Sequence, residues 1–355
     1  MSTTAPSSLR ILLSLITFML PAGIAGAQTP ALSTMPDGLA AGSVPPVHAR
    51  GSAAGGASSL AALLPEPSNV FSPMSTTIYQ IAEVVEGKDD LILASNTGME
   101  SIRGDGRGGF RVVFLLDGVQ HPVHFEAGDF GANAQFPYVF WKEESAYEFF
   151  MWSYTDSFSD PERDDGSTEF DYFDANGFVC WAGVAHAGTG YTGLSTYGAR
   201  TMPAGLPDSA TYEGRLQGHA WYRSAPGFPD FFSNTNLRAT LTLRIDFTRN
   251  TISGLIEDIH FASPPAREEY VRLPAGNQIA LAAVGAKGGR FSAVLTGQDT
   301  ESIPDLSRSV AGFEGNAFIE FYGPAAEEVG VVLSAIRAED GSVMYGFIGG
   351  RRLGP

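Results

Sequence analysis

The clearest pattern in the chain is a strict alternation of apolar and polar residues from Leu237 to Phe247. This segment reads LRATLTLRIDF, in which every odd-numbered residue is apolar and every even-numbered one is Arg, Thr or Asp. Successive side chains of a β-strand point to opposite faces. The alternation therefore predicts a strand with one buried face and one solvent-exposed face.

The same alternation recurs in seven further segments of the C-terminal part and predicts a strand in each. No helical period lies between them. Eight antiparallel strands joined in chain order predict a closed up-and-down barrel, which leaves no open sheet edge. The seven segments are Tyr212–Tyr222, Thr251–Phe261, Gln278–Ala286, Arg290–Gly297, Ala311–Tyr322, Val329–Ile336 and Val343–Ile348.

The chain before residue 206 is also strand-like, although less regular. Short β-branched and aromatic runs, separated by Gly, Asn, Asp and Pro, predict strands there. The break Met202–Pro207 separates them from the barrel. We therefore predict an all-β protein with a smaller β-rich, handle-like domain over residues 70–205 and the barrel over residues 206–355. The predicted handle strands are Thr77–Val84, Phe110–Leu116, Pro137–Trp141, Tyr147–Tyr154 and Gly177–Val184.

The N-terminus carries the features of a secretory signal peptide. Arg10 precedes the apolar run Ile11–Leu20, and the small residues Ala25 to Ala27 follow Pro21. We predict a signal peptide over residues 1–27, cleaved before Gln28, and a flexible Ala-, Gly-, Ser- and Pro-rich linker over residues 28–69. The protein should be exported through the inner membrane and reside in the periplasm, at the cell surface or outside the cell, without a transmembrane segment.

The charge balance narrows the class of partner. The chain has 39 Asp and Glu against 22 Lys and Arg, a formal net charge of −17. Nucleic-acid binding requires a basic surface, so this balance argues against it. The acidic stretch Asp156–Asp174 is typical of a solvated loop; a calcium site is the alternative, but the ligand spacing of a calcium-binding loop is absent. The single cysteine, Cys180, lies in an apolar run and is expected to be a buried small hydrophobe.

No motif predicts catalysis or a resident metal. Gly188–Gly193 matches G-x-G-x-x-G, but no helix can follow it as a dinucleotide site requires. His121 and His124 lie three residues apart, which on a strand places them on opposite faces. A carboxylate pair of the glycosidase type stays open, since spatial separation is invisible in sequence. We predict a non-enzymatic protein without a metal or cofactor; haem is the alternative, with His186 as a candidate ligand.

The interior of the predicted barrel is expected to be a packed core. Its inward positions carry seven aromatic residues, and an eight-stranded barrel has little room beyond its side chains. Binding should therefore lie on the loops. The same alternation places Glu320 in solvent, so that reversing its charge should matter little, and the glutamates of the Gly323–Glu328 turn should keep that corner solvated. The seven inward aromatics are Tyr212, Tyr222, Phe247, Phe313, Phe321, Tyr345 and Phe347.

Three long connections are expected to form the binding surface. They span Arg223–Asn236, Ala262–Asn277 and Gln298–Val310, whereas the intervening connections are short turns. Alternate connections of an up-and-down barrel share a rim, so the three long loops should gather at one end and present a recognition surface.

Five residues of these loops are the predicted ligand-binding residues. Phe228, Phe231 and Phe232 lie in GFPDFF of the first loop, and Arg267 and Tyr270 lie in the second. Loops rarely expose aromatic clusters without a partner. The alternative is that the three phenylalanines pack against the neighbouring domain.

Several segments resemble the barrel domain of transferrin-binding protein B. They are residues 210–218 (ATYEGRLQG), 243–256 (LRIDFTRNTISGLI) and, above all, 312–330 (GFEGNAFIEFYGPAAEEVG). The corner of that family reads approximately FYGPNAEELGG, so Ala325 replaces its Asn and Val331 its last Gly. The resemblance covers residues 200 to 355 and implies a barrel with a companion handle domain.

The resemblance also implies a function. Relatives of this shape are exported, non-catalytic proteins that bind host proteins, haem or other nutrients through barrel loops and handle. The transferrin receptors of the family are two-lobed and lipid-anchored, whereas this chain has one predicted lobe and Gln28, not a cysteine, directly after the predicted cleavage site. We expect a host protein or small nutrient as ligand. The alternative is a structural or envelope-associated β module without a soluble ligand. The sequence leaves the ligand, the oligomeric state and passage across the outer membrane open.

Overall fold

The computed structural model describes most of the chain from residue 71 onward. In this part, eighteen β-strands and two 3-10 turns, Ala127–Asp129 and Pro203–Gly205, make up the regular structure. No helix there is long and apolar enough to cross a membrane. The all-β class is confirmed. The described residues are 71, 73–82, 89–93, 97–130, 140–144, 146–153, 176–185, 189–223, 232–262, 270–287, 290–299 and 309–354.

Several predictions fall on residues that lie outside this description. They are the signal peptide (1–27), the linker (28–69), the acidic stretch 156–174 and His186. These stay predictions, as do the domain boundaries.

The first nine strands form two antiparallel sheets, which together we call the handle. The nine strands are β1 (Met74–Ala82), β2 (Asp89–Leu93), β3 (Gly98–Gly104), β4 (Phe110–Leu116), β5 (Val119–Phe125), β6 (Phe140–Glu144), β7 (Tyr147–Ser153), β8 (Asn176–Ala185) and β9 (Thr189–Gly198). The outer sheet has the order β3-β4-β5, and the middle sheet has the order β2-β1-β9-β8-β7-β6.

An aromatic core holds the two handle sheets together. The Phe114 ring of the outer sheet lies 4.9 Å from Phe149 and 5.1 Å from Trp181 of the middle sheet, measured between ring centroids. Trp181 lies flat on the neighbouring strand at Gly193, where a Cβ atom would come within 2.2 Å of the indole ring. The glycine therefore admits the largest side chain of this core.

The remaining strands form the predicted barrel. Its sheet has the order β11-β10-β18-β17-β16-β15-β14-β12-β13, and pairing of β11 with β12 closes it. The three-residue strand β13 adds to β12, which leaves eight strands in the closed cylinder. The strands are β10 (Ser209–Arg223), β11 (Phe232–Asp246), β12 (Thr251–Ala262), β13 (Tyr270–Arg272), β14 (Asn277–Lys287), β15 (Arg290–Asp299), β16 (Phe313–Tyr322), β17 (Glu328–Arg337) and β18 (Ser342–Arg352).

The barrel interior is a packed apolar core. Phe321 is 1% exposed, and its ring centroid lies 5.3 Å from Tyr212, 4.9 Å from Phe247 and 5.8 Å from Phe291. Phe313 belongs to the same buried cluster. Three predicted inward aromatics, Tyr212, Phe313 and Phe321, are thus in the core, and Phe247 packs against it while partly buried. The side chain of Tyr222 lies outside the description.

The predicted inward positions of Tyr345 and Phe347 are wrong. In β18 the core residues are Met344 and Ile348, while Tyr345 pairs with His219 on the outer face of β10. Tyr345 and Phe347 are nonetheless fully buried. Both faces of this strand are covered, so its sequence gives no alternation from which to choose the inward face.

The middle sheet of the handle covers the outer face of β17 and β18. Strands β1 and β9 contact both. Outward-facing Val332 is 1% exposed, and a Cβ atom at Gly330 would lie 2.6 Å from Thr196 Oγ1 of β9. The molecule is therefore layered as outer sheet, middle sheet and barrel wall, and strand β9 of the middle sheet is buried on both faces.

A buried ionic cluster lies at the junction of handle and barrel. Glu320 points outward from β16 but is only 1% exposed. Its carboxylate accepts a hydrogen bond from Arg290 Nε at 2.6 Å, pairs with Arg200 Nε, and accepts the Tyr322 hydroxyl at 3.1 Å. The expectation that Glu320 is solvated is wrong, because the chain after β9 lies across this face of the barrel.

The chain after β9 also contacts the corner at Gly323–Glu328. Gly323 N–H donates to Ala199 O at 2.9 Å, and Thr201 Oγ1 donates to Gly323 O at 2.7 Å. Glu327 is exposed as expected, but Glu328 is 4% exposed. The corner is thus partly a docking place for the connecting chain and only partly solvated.

Candidate binding surface at the barrel rim

The strand order places all three long connections at one end of the barrel. Residues 224–231 join β10 to β11, residues 263–276 lie between β12 and β14, and residues 300–312 join β15 to β16. Alternate connections of an antiparallel up-and-down barrel lie at the same end, and here that end also carries the turn 338–341. We call it the loop rim. The short turns 247–250, 288–289 and 323–327 lie at the opposite end, the corner rim.

The predicted site residues fall at the limits of the described chain. Phe228, Phe231 and Arg267 lie outside the described residues. Phe232 is the first residue of β11, where its backbone pairs with Arg223, and Tyr270 is the first residue of β13. The side chains of Phe232 and Tyr270 lie outside the description. Both backbone positions are at the loop rim, while the grouping of the five side chains stays a prediction.

The base of the second long loop is fixed by β13. This strand pairs with the end of β12, so that Arg272 lies opposite His260. Asp258, at a β-bulge with φ 54°, forms an ion pair with Arg272, whose Nε lies 2.6 Å from Asp258 Oδ1, and the same Oδ1 lies 3.2 Å from His260 Nε2. The end of β12 and the strand β13 are therefore held side by side at the loop rim.

A buried arginine ties the third long loop to the β17–β18 turn. Arg337, 3% exposed, donates to both carboxylate oxygens of Asp340 and to the Ser342 hydroxyl at 3.2 Å. It also donates to Ser309 O at 3.4 Å, and its guanidinium lies 5.2 Å from the Phe313 ring centroid. Sequence reasoning missed this residue because it follows the last alternating position of its strand and resembles a turn residue.

The Arg337 network depends on the charge of Asp340. Burial of this carboxyl raises its pKa, but the hydrogen bonds from Arg337 and Ser342 together outweigh burial and hold the pKa below its ordinary value. A folded-state pKa below the unfolded one stabilises the fold above the unfolded pKa, and this contribution is lost as pH falls through the folded pKa. The loop rim should therefore weaken in acid.

We expect Asp340→Asn to lower the melting temperature at neutral pH and the difference from the parent to shrink as pH falls below about 4. Neutral asparagine cannot pair with the buried guanidinium at any pH, whereas Asp340 loses its charge only in acid. Thermal melts over a pH series measure this. The neighbouring exposed Glu339→Gln is the control, and should change little throughout. A constant difference between Asp340→Asn and the parent down to low pH would contradict the assignment.

The histidines singled out in sequence do not converge. His121 packs against Tyr147, with ring centroids 4.9 Å apart, whereas His124 Nε2 lies 3.1 Å from Asp105 Oδ2 on the other face of β5. In the described part of the chain, no group of three or more His, Cys, Asp and Glu side chains could hold a metal ion.

Comparison with known proteins gives a likeness of fold. No family model matches the chain, and no curated protein matches it. Solved structures do: intact Ap-TbpB with its N and C lobes matches with a TM-score of 0.41 at 14% identity, over 80% of this chain and 46% of that one. The isotype 1 transferrin-binding protein B of Neisseria meningitidis matches with a TM-score of 0.37 at 15% identity, over 81% of this chain and 44% of that one.

A third solved structure matches over nearly its whole length. A structure named as a surface lipoprotein matches with a TM-score of 0.34 at 11% identity, over 79% of this chain and 98% of that one. The chain spans less than half of the transferrin-binding protein B structures that it matches. Transferrin-binding protein B, whose barrel the sequence segments resemble, is among the solved structures that match.

Proposed function

We propose that this is an exported, non-catalytic binding protein that recognises its ligand through the loop rim. The observation that carries the proposal is the segregation of connections. Every long connection of the barrel leaves from one end, and the other end carries only turns of two to five residues. Scaffolds that bind through loops commonly hold them on a rigid framework in this way.

The packed interior supports a site outside the barrel. Phe247, Phe291 and Phe321 meet edge to face at the corner-rim end of this interior, with centroids 4.9 to 6.0 Å apart, and buried aliphatic side chains line the remainder. An eight-stranded barrel filled in this manner has no room for an internal ligand of the lipocalin kind. Recognition is therefore assigned to the surface.

The class of partner follows from the sequence resemblance. The Gly312–Gly330 segment resembles transferrin-binding protein B, which supports a host protein as the partner, with haem or another nutrient as the small-molecule alternative. Cell-surface or extracellular placement, after removal of the predicted signal peptide, fits such a partner. The predicted contact residues are Phe228, Phe231, Phe232, Arg267 and Tyr270.

Replacing Phe228, Phe231 and Phe232 together with serine should weaken partner capture by about 2 kcal/mol or more, roughly thirtyfold in dissociation constant. Aromatic anchors commonly carry most of the energy of an interface, whereas a loop tip buries little area in the free protein. The melting temperature should therefore change little. Pull-down from host fluid, quantified against the parent, and thermal melts on the same samples provide the two measurements, with an absorption spectrum of the captured material to detect haem.

A matched control is the triple serine variant of exposed apolar residues elsewhere: Val119, Met202 and Leu353, which are 58%, 47% and 52% exposed. It should retain full capture. If the rim variant instead lost stability, the phenylalanines would pack against the neighbouring domain, as in the alternative interpretation. A stable rim variant with undiminished capture would refute the loop rim as the site, and recovery of no partner with the parent, together with co-fractionation with the envelope, would favour a structural role.

A further inference from the structure

A row of basic side chains crosses the solvent-facing side of the outer sheet. Arg103 of β3 lies directly opposite Arg111 of β4, which in turn lies opposite His124 of β5. The neighbouring Ile102, Val112 and Val123 are buried in the handle core, so the basic row points away from it. Both arginines are exposed. This surface is independent of the loop rim.

The placement of these arginines is unfavourable in the free protein. The Cβ atoms of directly opposite residues are about 5 Å apart, and like charges in such pairs destabilise a sheet. In the described part of the chain, neither guanidinium has a carboxylate partner. The chain has a net charge of −17, so acidic residues far outnumber basic ones. Two facing arginines without a carboxylate partner are therefore unusual in this protein.

The acid nearest to the row is already occupied. Asp105 Oδ1 accepts the backbone N–H groups of Arg107 and Gly109 at 2.7 and 2.9 Å, and Oδ2 lies 3.1 Å from His124 Nε2. Asp105 thus shapes the β3–β4 turn instead of neutralising Arg103 or Arg111. The same turn exposes a third arginine, Arg107.

The face becomes apolar beyond the basic row. Half-buried Val113 lies opposite exposed Pro122 and next to half-buried Leu115 on the same side of β4. At the far edge of the face, Gln120 donates a hydrogen bond to Glu100 at 2.7 Å. Guanidinium groups at one end, with aliphatic side chains next to them, suit an extended segment that presents acidic residues to the arginines and apolar residues to the aliphatic side chains. Guanidinium groups bind carboxylates through paired, parallel hydrogen bonds, which explains arginine here in preference to lysine.

We propose that this face of the handle is a docking surface for an acidic protein segment, with Arg103 and Arg111 as the carboxylate-binding residues. An anionic membrane is the less favoured occupant. The turn at the basic end consists of Asp105, Gly106, Arg107, Gly108 and Gly109, and therefore offers no apolar side chain to enter a bilayer.

Fluorescence anisotropy of the full chain with a short labelled peptide of alternating Glu and Val tests the proposal. The parent should bind the peptide, and more weakly as salt is added. Arg103→Gln/Arg111→Gln should lower the affinity at least about tenfold, since each lost charge-assisted pair contributes strongly. The control Arg244→Gln/Arg249→Gln changes net charge equally on the exposed barrel surface and should leave the affinity unchanged.

A second readout concerns the free protein. Arg111→Thr should raise the melting temperature without peptide, because it removes the repulsion from Arg103, and should reduce peptide binding. The proposal would be overturned by absence of peptide binding to the parent at low salt, or by equal losses in the two double variants. It would also be overturned if anionic phosphatidylglycerol vesicles, but not the peptide, bound in an Arg103- and Arg111-dependent manner.

Discussion

Glu320→Lys is expected to lower the free energy of unfolding by about 3–5 kcal/mol, the range observed when one partner of a buried ion pair is removed. The substitution would place an ammonium group beside the guanidinium groups of Arg200 and Arg290 at a site that is 1% exposed. Three cations would then share a space from which water is excluded. Denaturant unfolding of parent and variant, compared by midpoint and slope, measures the loss.

The control for this variant lies on the same face of the same strand. Glu314 is exposed and six positions before Glu320 in β16. Glu314→Lys makes the same charge change in solvent, and its effect should stay within about 0.5 kcal/mol. Similar midpoints for the two variants would show that Glu320 is solvated, as the alternation alone suggested, and that the junction cluster does not hold the handle against the barrel.

Phe321→Asp should have an equal or larger effect, because it removes a core ring and buries a carboxyl group. Loss of a buried Phe side chain alone typically costs about 3–5 kcal/mol, and an unpaired carboxylate adds the penalty of desolvation. No cooperative unfolding transition should remain, as judged by near-ultraviolet circular dichroism during urea titration. Glu320→Lys and Phe321→Asp, at adjacent positions on opposite faces of β16, thus destabilise the fold by different mechanisms.

Val294→Asp is the control for the barrel interior. Val294 is 43% exposed on the outer face of β15, whereas Phe321 is 1% exposed inside. The same aspartate should be tolerated at position 294. If Val294→Asp unfolded the protein and Phe321→Asp did not, the inward and outward faces of the barrel would be reversed.

The barrel strands and their inward faces were predictable wherever one face of a strand is exposed to solvent. Leu237, Leu241 and Leu243 of β11 are buried, while Arg238, Thr240 and Thr242 are partly exposed, and the sequence alternates accordingly. In β18 nearly every residue is buried, and there the inward face was assigned incorrectly. Apolar and polar residues alternate only where one face of a strand contacts water. The handle covers the outer face of β17 and β18, so these strands do not alternate.

The strands of the handle were harder to predict from the sequence than those of the barrel. Strand β9, with the sequence TGYTGLSTYG, lies between the outer sheet and the barrel, and its residues 190–197 are all buried. Because neither face contacts water, its sequence does not alternate between apolar and polar residues, and the strand was not predicted. Strand β5 was missed as well, since Pro122 and two histidines interrupt its pattern.

The site was predictable only to the level of topology. Loop lengths indicated the loop rim, because alternate connections of an antiparallel barrel share an end. The contact of Arg337 with the third long loop and that of Glu320 with Arg290 could not be foreseen, since these partners are distant in sequence: Ser309 lies 28 residues from Arg337, and Arg290 lies 30 residues from Glu320. Such pairs become visible only when the register between strands is known.

The corner at Gly323–Ala326 has a meaning beyond its role as a turn. Thr201 reaches Gly323 O across 122 positions of sequence, and at Gly205 a Cβ atom would lie 2.1 Å from Pro324 O. An earlier part of the chain, which includes Thr201 and Gly205, thus packs directly on the corner. Gly323 and Pro324 therefore do more than end a strand: they contact residues more than a hundred positions upstream and help to join the handle to the barrel.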